Sequence, residues 1–392
     1  MESAYIVEAL RTAGGRRGGR LSGWHPVDLA AQVLNGLVEN TGCDPALIED
    51  VVVGCVGQAG EQSNNVGRNA VLASILPESV PACSIDRQCG SSQQALHFAA
   101  QAVMSGAMDV VIAAGVESMT RVPMFTPSTL AKKSGLGYYV SHAMERRYST
   151  PDFSQFIGAE MIARKYNLSR EHLDQFAFQS HLRAIEATKS GRFKREIVPV
   201  AAITAEGGVT GDLHVVDEGI RFDVSLEGIA SVKPIQEDGR CSAASSSQIC
   251  DGASGVMVVS ERGLKTLGMK PLARIHHMSV LGHDPVIMLE APIPATERAL
   301  KRSGLSINDI DLFEINEAFA PVPLAWLAAT GADPNKLNVN GGAIALGHPL
   351  GASGTKLAST LIHALHQRAA KYGLQSMCEG GGMANVTIFE RL

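Results

Sequence analysis

Two cysteines, a histidine and an asparagine stand in surroundings that could let them do chemistry. The first is Cys89, which follows the polar residues "DRQ" and precedes "GSS" at the start of an alanine-rich stretch typical of a helix. A helix start has unpaired backbone N–H groups and a positive dipole end, and both stabilise a thiolate. We therefore expect a lowered pKa and a nucleophilic thiolate at Cys89. The alternative is a buried structural thiol, because free cysteine is among the most buried residue types.

His348 lies in "GGAIALGHPLGASG", a stretch in which few other side chains could explain the loop. A neutral imidazole at this position could take a proton from a nearby thiol. The alternative is a histidine whose hydrogen bonds serve only the structure.

Cys378 stands before Glu379 and three glycines in "CEGGGMAN". Such glycines can expose backbone N–H groups as an oxyanion hole, which is worth roughly 3–4 kcal/mol per donor. Asn316 follows an apolar strand in "EINEAFA", where it could act in a site or cap the next helix. The second cysteine argues against a cysteine protease, which can work with one Cys, one His and one Asn. The cysteines lack C-x-x-C spacing, so no metal site is predicted.

Composition limits the classes of protein that this chain could belong to. The 392 residues predict two or three domains. The net charge of −5, without a dominant basic block, argues against nucleic-acid binding as the main role. Seven cysteines without a secretory signal indicate free thiols in a reducing compartment. No apolar run reaches membrane-spanning length. We therefore expect a cytoplasmic protein that does not bind membranes.

Short β-branched runs alternate with alanine-rich stretches, and this pattern favours an α/β fold with covered sheets. The clearest strand candidates lie within residues 50–57, 108–119, 309–319 and 375–392.

The order of these segments indicates an internal duplication. Cys89 follows the strand near Val53 by 36 positions (89 − 53), and His348 follows the strand near Phe313 by 35 positions (348 − 313). In both cases a turn of small residues opens an apolar helix, and a strand ending in glycine comes next. Two packed copies of one unit would bring the two turns close together.

The middle of the chain has a different character. Residues 120–249 carry more charge, amphipathic patterns and irregular stretches, which predict an inserted loop domain. Ser169 is a plausible N-cap for one of its helices. The remaining chain then divides into an N-terminal half, residues 1–119 plus 250–272, and a C-terminal half, residues 273–392.

Taken together, the motifs resemble those of the thiolase family. The segments "CGSSQQA" at 89–95, "NEAFA" at 316–320, "GGAIALGHPLGASG" at 341–354 and "CEGGGMAN" at 378–385 look like thiolase signatures in the expected order. The resemblance covers essentially the whole chain. It implies duplicated α/β/α/β/α layered halves and a reversible Claisen condensation or thiolysis of CoA thioesters.

The resemblance also implies a role for each catalytic candidate. Cys89 would be the acylated nucleophile and His348 its activator, and Cys378 would be the acid and base at the α-carbon. One oxyanion hole would use His348 and a water held by Asn316. The other would use the backbone N–H groups of Cys89 and Gly380. No cofactor would be bound permanently, since the CoA thioester is a co-substrate.

Further residues are assigned to substrate binding by the same resemblance. Arg221 and Ser247 would contact the nucleotide end and the pantetheine arm of CoA, on the inserted domain. Phe156, Ile157 and Met288 would surround the acyl group. Acyl-CoA and CoA would be the binding partners of a homodimer or homotetramer.

The chain departs from the short-chain thiolase pattern at the acyl site. A His–Met pair is common where this chain has Phe156 and Ile157, so we expect a bulkier apolar acyl group and a degradative role. The alternatives are a decarboxylating ketoacyl synthase, which usually has a second histidine where this chain has Cys378, and a non-catalytic acyl-CoA- or lipid-binding relative.

Overall fold

The valine- and isoleucine-rich runs form the strands of one large sheet and a separate hairpin. The computed structural model describes residues 2–205 and 208–392. Along the chain the strands are β1 (Tyr5–Arg11), β2 (Gly15–Arg16), β3 (Asp50–Gly54), β4 (Ala82–Ile85), β5 (Val110–Ser118), β6 (Val200–Ile203), β7 (Val209–His214), β8 (Cys250–Val259), β9 (Ala273–Gly282), β10 (Leu312–Ile315), β11 (Tyr372–Glu379) and β12 (Met383–Arg391).

The pairing pattern of the large sheet occurs twice. β3 runs parallel to β5, β5 antiparallel to β8, and β8 antiparallel to β1. In the same way β10 runs parallel to β11, β11 antiparallel to β12, and β12 antiparallel to β9. The two sets join where Tyr5 and Ile6 of β1 pair with Arg274 and Ala273 of β9. The internal duplication predicted from the sequence is confirmed.

The remaining strands extend this arrangement at its edges. β4 pairs with β3 at one edge, β2 adds to β8, and β6 and β7 form the separate hairpin. Every residue of β5 and β8 is buried. A sheet covered on both faces requires such continuous apolar strands rather than alternating ones.

The helices cover the sheet and fill the middle segment of the chain. They are α1 (Pro26–Thr41), α2 (Val66–Leu72), α3 (Ser91–Met104), α4 (Thr126–Lys133), α5 (His142–Tyr148), α6 (Gln155–Lys165), α7 (Arg170–Lys189), α8 (Leu226–Ala230), α9 (Glu261–Leu267), α10 (Pro292–Ser303), α11 (Pro321–Thr330), α12 (Ala343–Leu346) and α13 (Ser353–Gln367). Ser169 caps α7 reciprocally with His172, as predicted. Within residues 2–205 and 208–392, no helix combines the length and apolar character needed to span a membrane.

Helices α3 and α13 occupy equivalent places in the two halves and pack against each other. The backbone N–H of Thr355 donates to the Ser92 hydroxyl at 3.0 Å. A methyl group on Gly354 would lie 2.1 Å from the backbone nitrogen of Gln93, so only glycine permits this approach. The turns that open the two helices are therefore neighbours, as the duplication predicted.

Candidate active site

Cys89 lies at the mouth of α3, immediately before the N-cap residue Gly90. The preceding turn is tight: Gln88 has a left-handed φ of 49°, and its N–H donates to the Asp86 carboxylate at 2.6 Å. The Cys89 side chain is buried and packs with Leu357 and Met377. The sequence therefore placed this thiol correctly at a helix start.

The pKa of Cys89 differs from the sequence expectation. Burial raises the pKa of this thiol to about 12, and the nearby Glu379 carboxylate adds to the rise. The backbone N–H groups of Cys89 and Gly380 act in the opposite direction without reversing it. The expectation of a lowered pKa is wrong, because removal from water outweighs the helix start. The resting side chain is a thiol, and a base must remove its proton before it can attack.

His348 has the protonation state and tautomer that such a base requires. Burial, together with the Lys356 charge, lowers the pKa of His348 to about 3, so the imidazole is neutral. Its Nδ1 contacts the Ser353 hydroxyl, which donates to the Pro349 carbonyl at 3.0 Å. This hydrogen-bond chain assigns the ring proton to Nδ1 and leaves a lone pair on Nε2. The Nε2 lone pair is therefore the one that can accept a proton.

Asn316 lies beside this lone pair. Its Nδ2 is 3.4 Å from His348 Nε2, and its Oδ1 is buried without a hydrogen-bond partner in the described chain. Helix α11 begins later, with Ala320 at the N-cap, so the alternative interpretation of Asn316 as a helix cap is wrong. A buried unpartnered amide oxygen is uncommon and suits a site that binds water or substrate.

Cys378 is fully buried near the end of β11, opposite Ala384 of β12. Burial raises its pKa well above the ordinary value, and the charge of ionised Cys89 adds to this rise. The charge of an ionised Cys89 therefore reaches Cys378. Gly380 begins the turn between β11 and β12, and its N–H acts on the Cys89 sulfur.

The catalytic candidates come from four distant segments of the chain. The turn before α3 supplies Cys89, the segment after β10 supplies Asn316, the loop before α13 supplies His348, and the end of β11 supplies Cys378. Leu350, two residues beyond His348, packs against the apolar cluster that contains Cys89. The geometry offers a neutral base, two thiols and backbone donors in one buried region.

One of the two residues assigned to CoA lines a surface cleft, and the other is next to a lining residue in the chain. Arg221 is exposed and lines a cleft of about 500 Å³ together with Arg16 and the exposed ring of Phe222. Ser247 is half-buried beside this cleft; its N–H donates to the Ala318 carbonyl at 2.9 Å, and the next residue, Gln248, is part of the lining. Two guanidinium groups and an aromatic ring are suited to phosphates and a nucleobase.

The residues assigned to the acyl group differ in exposure. Phe156 packs edge-on against Phe319, with ring centroids 5.7 Å apart. Met288 is buried in the apolar cluster that contains Phe319 and Cys378. Ile157 is 52% exposed. The acyl-binding assignment stays a prediction for all three.

Sequence reasoning missed three residues in this region. Ser353 orients His348 and could have been found in the same glycine-rich motif. Arg16 lies in the basic stretch "GGRRGGR", which was a usable signal for an anion site. Glu379 had no local signal, because its burial depends on distant segments of the chain.

The chain matches known proteins over its whole length. The family model described as "Thiolase, N-terminal domain" matches residues 4–262, and "Thiolase, C-terminal domain" matches residues 269–391. The steroid 3-ketoacyl-CoA thiolase FadA6 of Mycobacterium tuberculosis is 50% identical, over 100% of this chain and 95% of that protein. A 3-ketoacyl-CoA thiolase of Yersinia pestis and one of Serratia proteamaculans are each 42% identical, with complete coverage of both chains. The chain therefore belongs to the thiolase family and is an acyltransferase.

Proposed function

We propose that this thiolase cleaves 3-ketoacyl-CoA substrates with CoA, through an acyl group carried on Cys89. The arrangement that supports this proposal most directly is the pair of buried thiols, Cys89 and Cys378, beside a neutral imidazole at His348. The names of the full-length relatives support the same substrate class.

In the first half-reaction, His348 Nε2 takes the Cys89 proton as the sulfur attacks the 3-keto carbon. The bond between C2 and C3 then breaks, and its electron pair passes to the departing acetyl-CoA as an enolate. Cys378 protonates the α-carbon of this enolate. Acetyl-CoA leaves, and the shortened acyl group remains on Cys89 as a thioester.

In the second half-reaction, the thiol of CoA attacks the acyl-Cys89 carbonyl. Cys378 takes the proton of the CoA thiol. The Cys89 sulfur leaves the acyl carbon as the shortened acyl-CoA forms, and it takes back its proton from His348. Run in reverse, the same steps condense two CoA thioesters. Splitting the reaction in this way predicts ping-pong kinetics.

Both half-reactions develop negative charge on a carbonyl oxygen, and preorganised donors lower that cost. We propose that the backbone N–H groups of Cys89 and Gly380 form one oxyanion hole. His348 and a water held by Asn316 would form the other, since the free Oδ1 of Asn316 can accept a hydrogen bond from that water.

CoA binding and assembly complete the proposal. The cleft around Arg221 and Arg16 would hold the nucleotide, Ser247 would contact the pantetheine arm, and Phe156, Ile157 and Met288 would surround the acyl chain. We retain residues 120–249 as a domain inserted into the N-terminal half of the chain. Copies of the whole chain would form a homodimer or homotetramer. The enzyme would work in the cytoplasm without a permanently bound cofactor.

A panel of 3-ketoacyl-CoA substrates of increasing length, assayed in the thiolytic direction, tests the substrate class. We expect kcat/KM to be higher for longer or bulkier substrates than for acetoacetyl-CoA, because the site carries Phe156 where short-chain enzymes often have histidine. A clear preference for acetoacetyl-CoA would contradict the degradative assignment.

The Cys378→Ser variant tests the division of labour between the two thiols. We expect it to acylate Cys89 from acetyl-CoA, as seen by peptide mass spectrometry, while condensation falls at least about 100-fold. Condensation at the wild-type rate would show that Cys378 is not the acid and base.

A further inference from the structure

Glu379 is a buried carboxyl group that no step of the reaction above uses. It is the last residue of β11 and is fully buried, and neither carboxylate oxygen has a hydrogen-bond partner among the described residues. Burying a carboxylate without a partner is costly, so native proteins rarely do it. Glu379 directly follows Cys378, which suggests that the free-energy cost of burying it is tolerated because the carboxyl group has a role in the active site.

The carboxylate packs against the turn that carries Cys89. A methyl group on Gly90 would lie 2.1 Å from Glu379 Oε1, so the carboxyl group touches the backbone beside the thiol. Asn385 of β12 approaches Gly90 from the same direction, and its Nδ2 donates to the Gly90 carbonyl at 3.0 Å. Only glycine at position 90 lets the carboxylate come this close.

Few charged groups surround this carboxyl group. The turn before α3 contributes Asp86, Arg87 and Cys89, and β11 contributes Cys378. Arg87 does not hydrogen-bond to Glu379, because neither oxygen of the Glu379 carboxylate has a partner among the described residues. Burial raises the pKa of Glu379 to about 8, while the charge of Arg87 opposes the rise. The ionised carboxylate in turn raises the pKa of Cys89.

We propose that Glu379 is a positioning residue that, once ionised at alkaline pH, adds to burial in holding Cys89 in the thiol form in the free enzyme, through the charge of a carboxylate packed beside Gly90. This inference rests on the proposed role of Cys89 as the nucleophile. It adds an account of how the thiol is kept protonated. Spontaneous ionisation is disfavoured, so the thiolate forms when His348 accepts the proton. At alkaline pH the nucleophile is thereby less open to alkylation and oxidation between turnovers.

The pH dependence of Cys89 alkylation tests this role. The rate of iodoacetamide labelling would be measured by peptide mass spectrometry from pH 6 to pH 10 in the wild type and in Glu379→Gln. Below about pH 7 the carboxyl group is protonated and uncharged, so the two rates should converge. Above pH 8 the variant should react about 10-fold faster, because a like charge beside the thiolate has been removed.

The shape of the profile separates this electrostatic role from a structural one. The logarithm of the variant's rate should rise by one per pH unit, whereas the wild-type slope should fall below one between about pH 7.5 and 9.5 as Glu379 ionises. The Glu379→Asp variant retains a carboxylate, so its rate profile should show the same shallow slope as the wild type. If neither variant folds, the wild-type slope alone still decides, since a slope of one throughout contradicts the proposal.

A matched control is Glu314→Gln on β10, another buried glutamate whose pKa is raised by burial. It should leave the alkylation profile unchanged. Superimposable profiles for the wild type and Glu379→Gln would overturn the inference. If Cys89 is not acylated when the wild type is incubated with acetyl-CoA, the proposed nucleophile itself is wrong, and this outcome is distinct from the first.

Discussion

The turns that open α3 and α13 occupy equivalent places in the two halves but carry opposite chemistry. One presents Cys89, whose pKa is raised by burial, and the other presents His348, whose pKa is lowered by burial. The two helices touch through Ser92 and Thr355. The duplicated fold therefore supplies one scaffold position twice, and the residue placed there decides whether it holds an acid or a base.

A single physical cause keeps both side chains neutral. Removal from water disfavours whichever form is charged, which is the thiolate for cysteine and the imidazolium for histidine. The result is that the proposed acid, Cys89, and the proposed base, His348, are both neutral in the resting protein. Charge appears only when the proton moves, at the moment when oxyanion donors can stabilise the reacting substrate.

Replacing the acid should have the largest effect. Cys89→Ala removes the atom that carries the acyl group, so thiolysis should fall by at least about 10⁴-fold. No acylated peptide should appear by mass spectrometry after incubation with acetyl-CoA. Cys83→Ser, at an exposed thiol on β4, is the control and should retain activity. Acylation elsewhere with normal turnover would contradict the assignment.

Replacing the base should cost less, because the thiol remains. His348→Gln should lower kcat by about 10²- to 10⁴-fold, the usual range for a lost general base. Since the wild-type pKa of His348 lies near 3, its protonation should not reduce activity between pH 5 and pH 7. Activity recovered by raising the pH would support the loss of a base, whereas a pH-independent loss would indicate disrupted packing.

The contact between the two helices can be broken directly. Gly354→Ala places a methyl group against the Gln93 backbone and should lower the free energy of unfolding by about 1–3 kcal/mol or more. Urea unfolding followed by circular dichroism measures the loss. Gly282→Ala is the matched control, because a methyl group there meets open space. Equal stability of the two variants would show that the close approach is not required.

The smallest expected effect concerns a second buried imidazole, His97 on α3. Burial lowers its pKa to about 3, against about 6.5 in the unfolded chain. The neutral form is favoured in the folded state, so this stability is present above pH 6.5 and is lost as the pH falls towards 3. By pH 5 the loss should be about 2 kcal/mol.

Unfolding of His97→Gln at several pH values tests this linkage. The decrease in the free energy of unfolding between pH 7 and pH 5 should be about 2 kcal/mol smaller in the variant than in the wild type. Between pH 7 and pH 8 the two proteins should show the same pH dependence, because both then have an uncharged group at position 97. An unchanged acid slope would refute the buried neutral state.

The alternation of strands and helices, the duplication and the catalytic candidates could be predicted because their signals are local. Buried strands such as β5 are continuous apolar runs, and the residues around Cys89 and His348 are short motifs. The pKa of Cys89 could not be predicted, since a helix start is visible locally and burial by Leu357 and Met377 is not. Glu379 was missed for the same reason: its neighbours Gly90 and Asn385 lie on separate segments.

The join between β1 and β9 has a consequence for how the chain folds. β1 is synthesised well before its partners, because β8 and β9 begin only at Cys250 and Ala273. A ribosome must therefore extend the chain from Arg11 to beyond Cys250 before the strand at the centre of the sheet can pair. Such long-range contacts slow folding and leave an apolar segment unpaired meanwhile, so β1 is where a chaperone would be needed during synthesis.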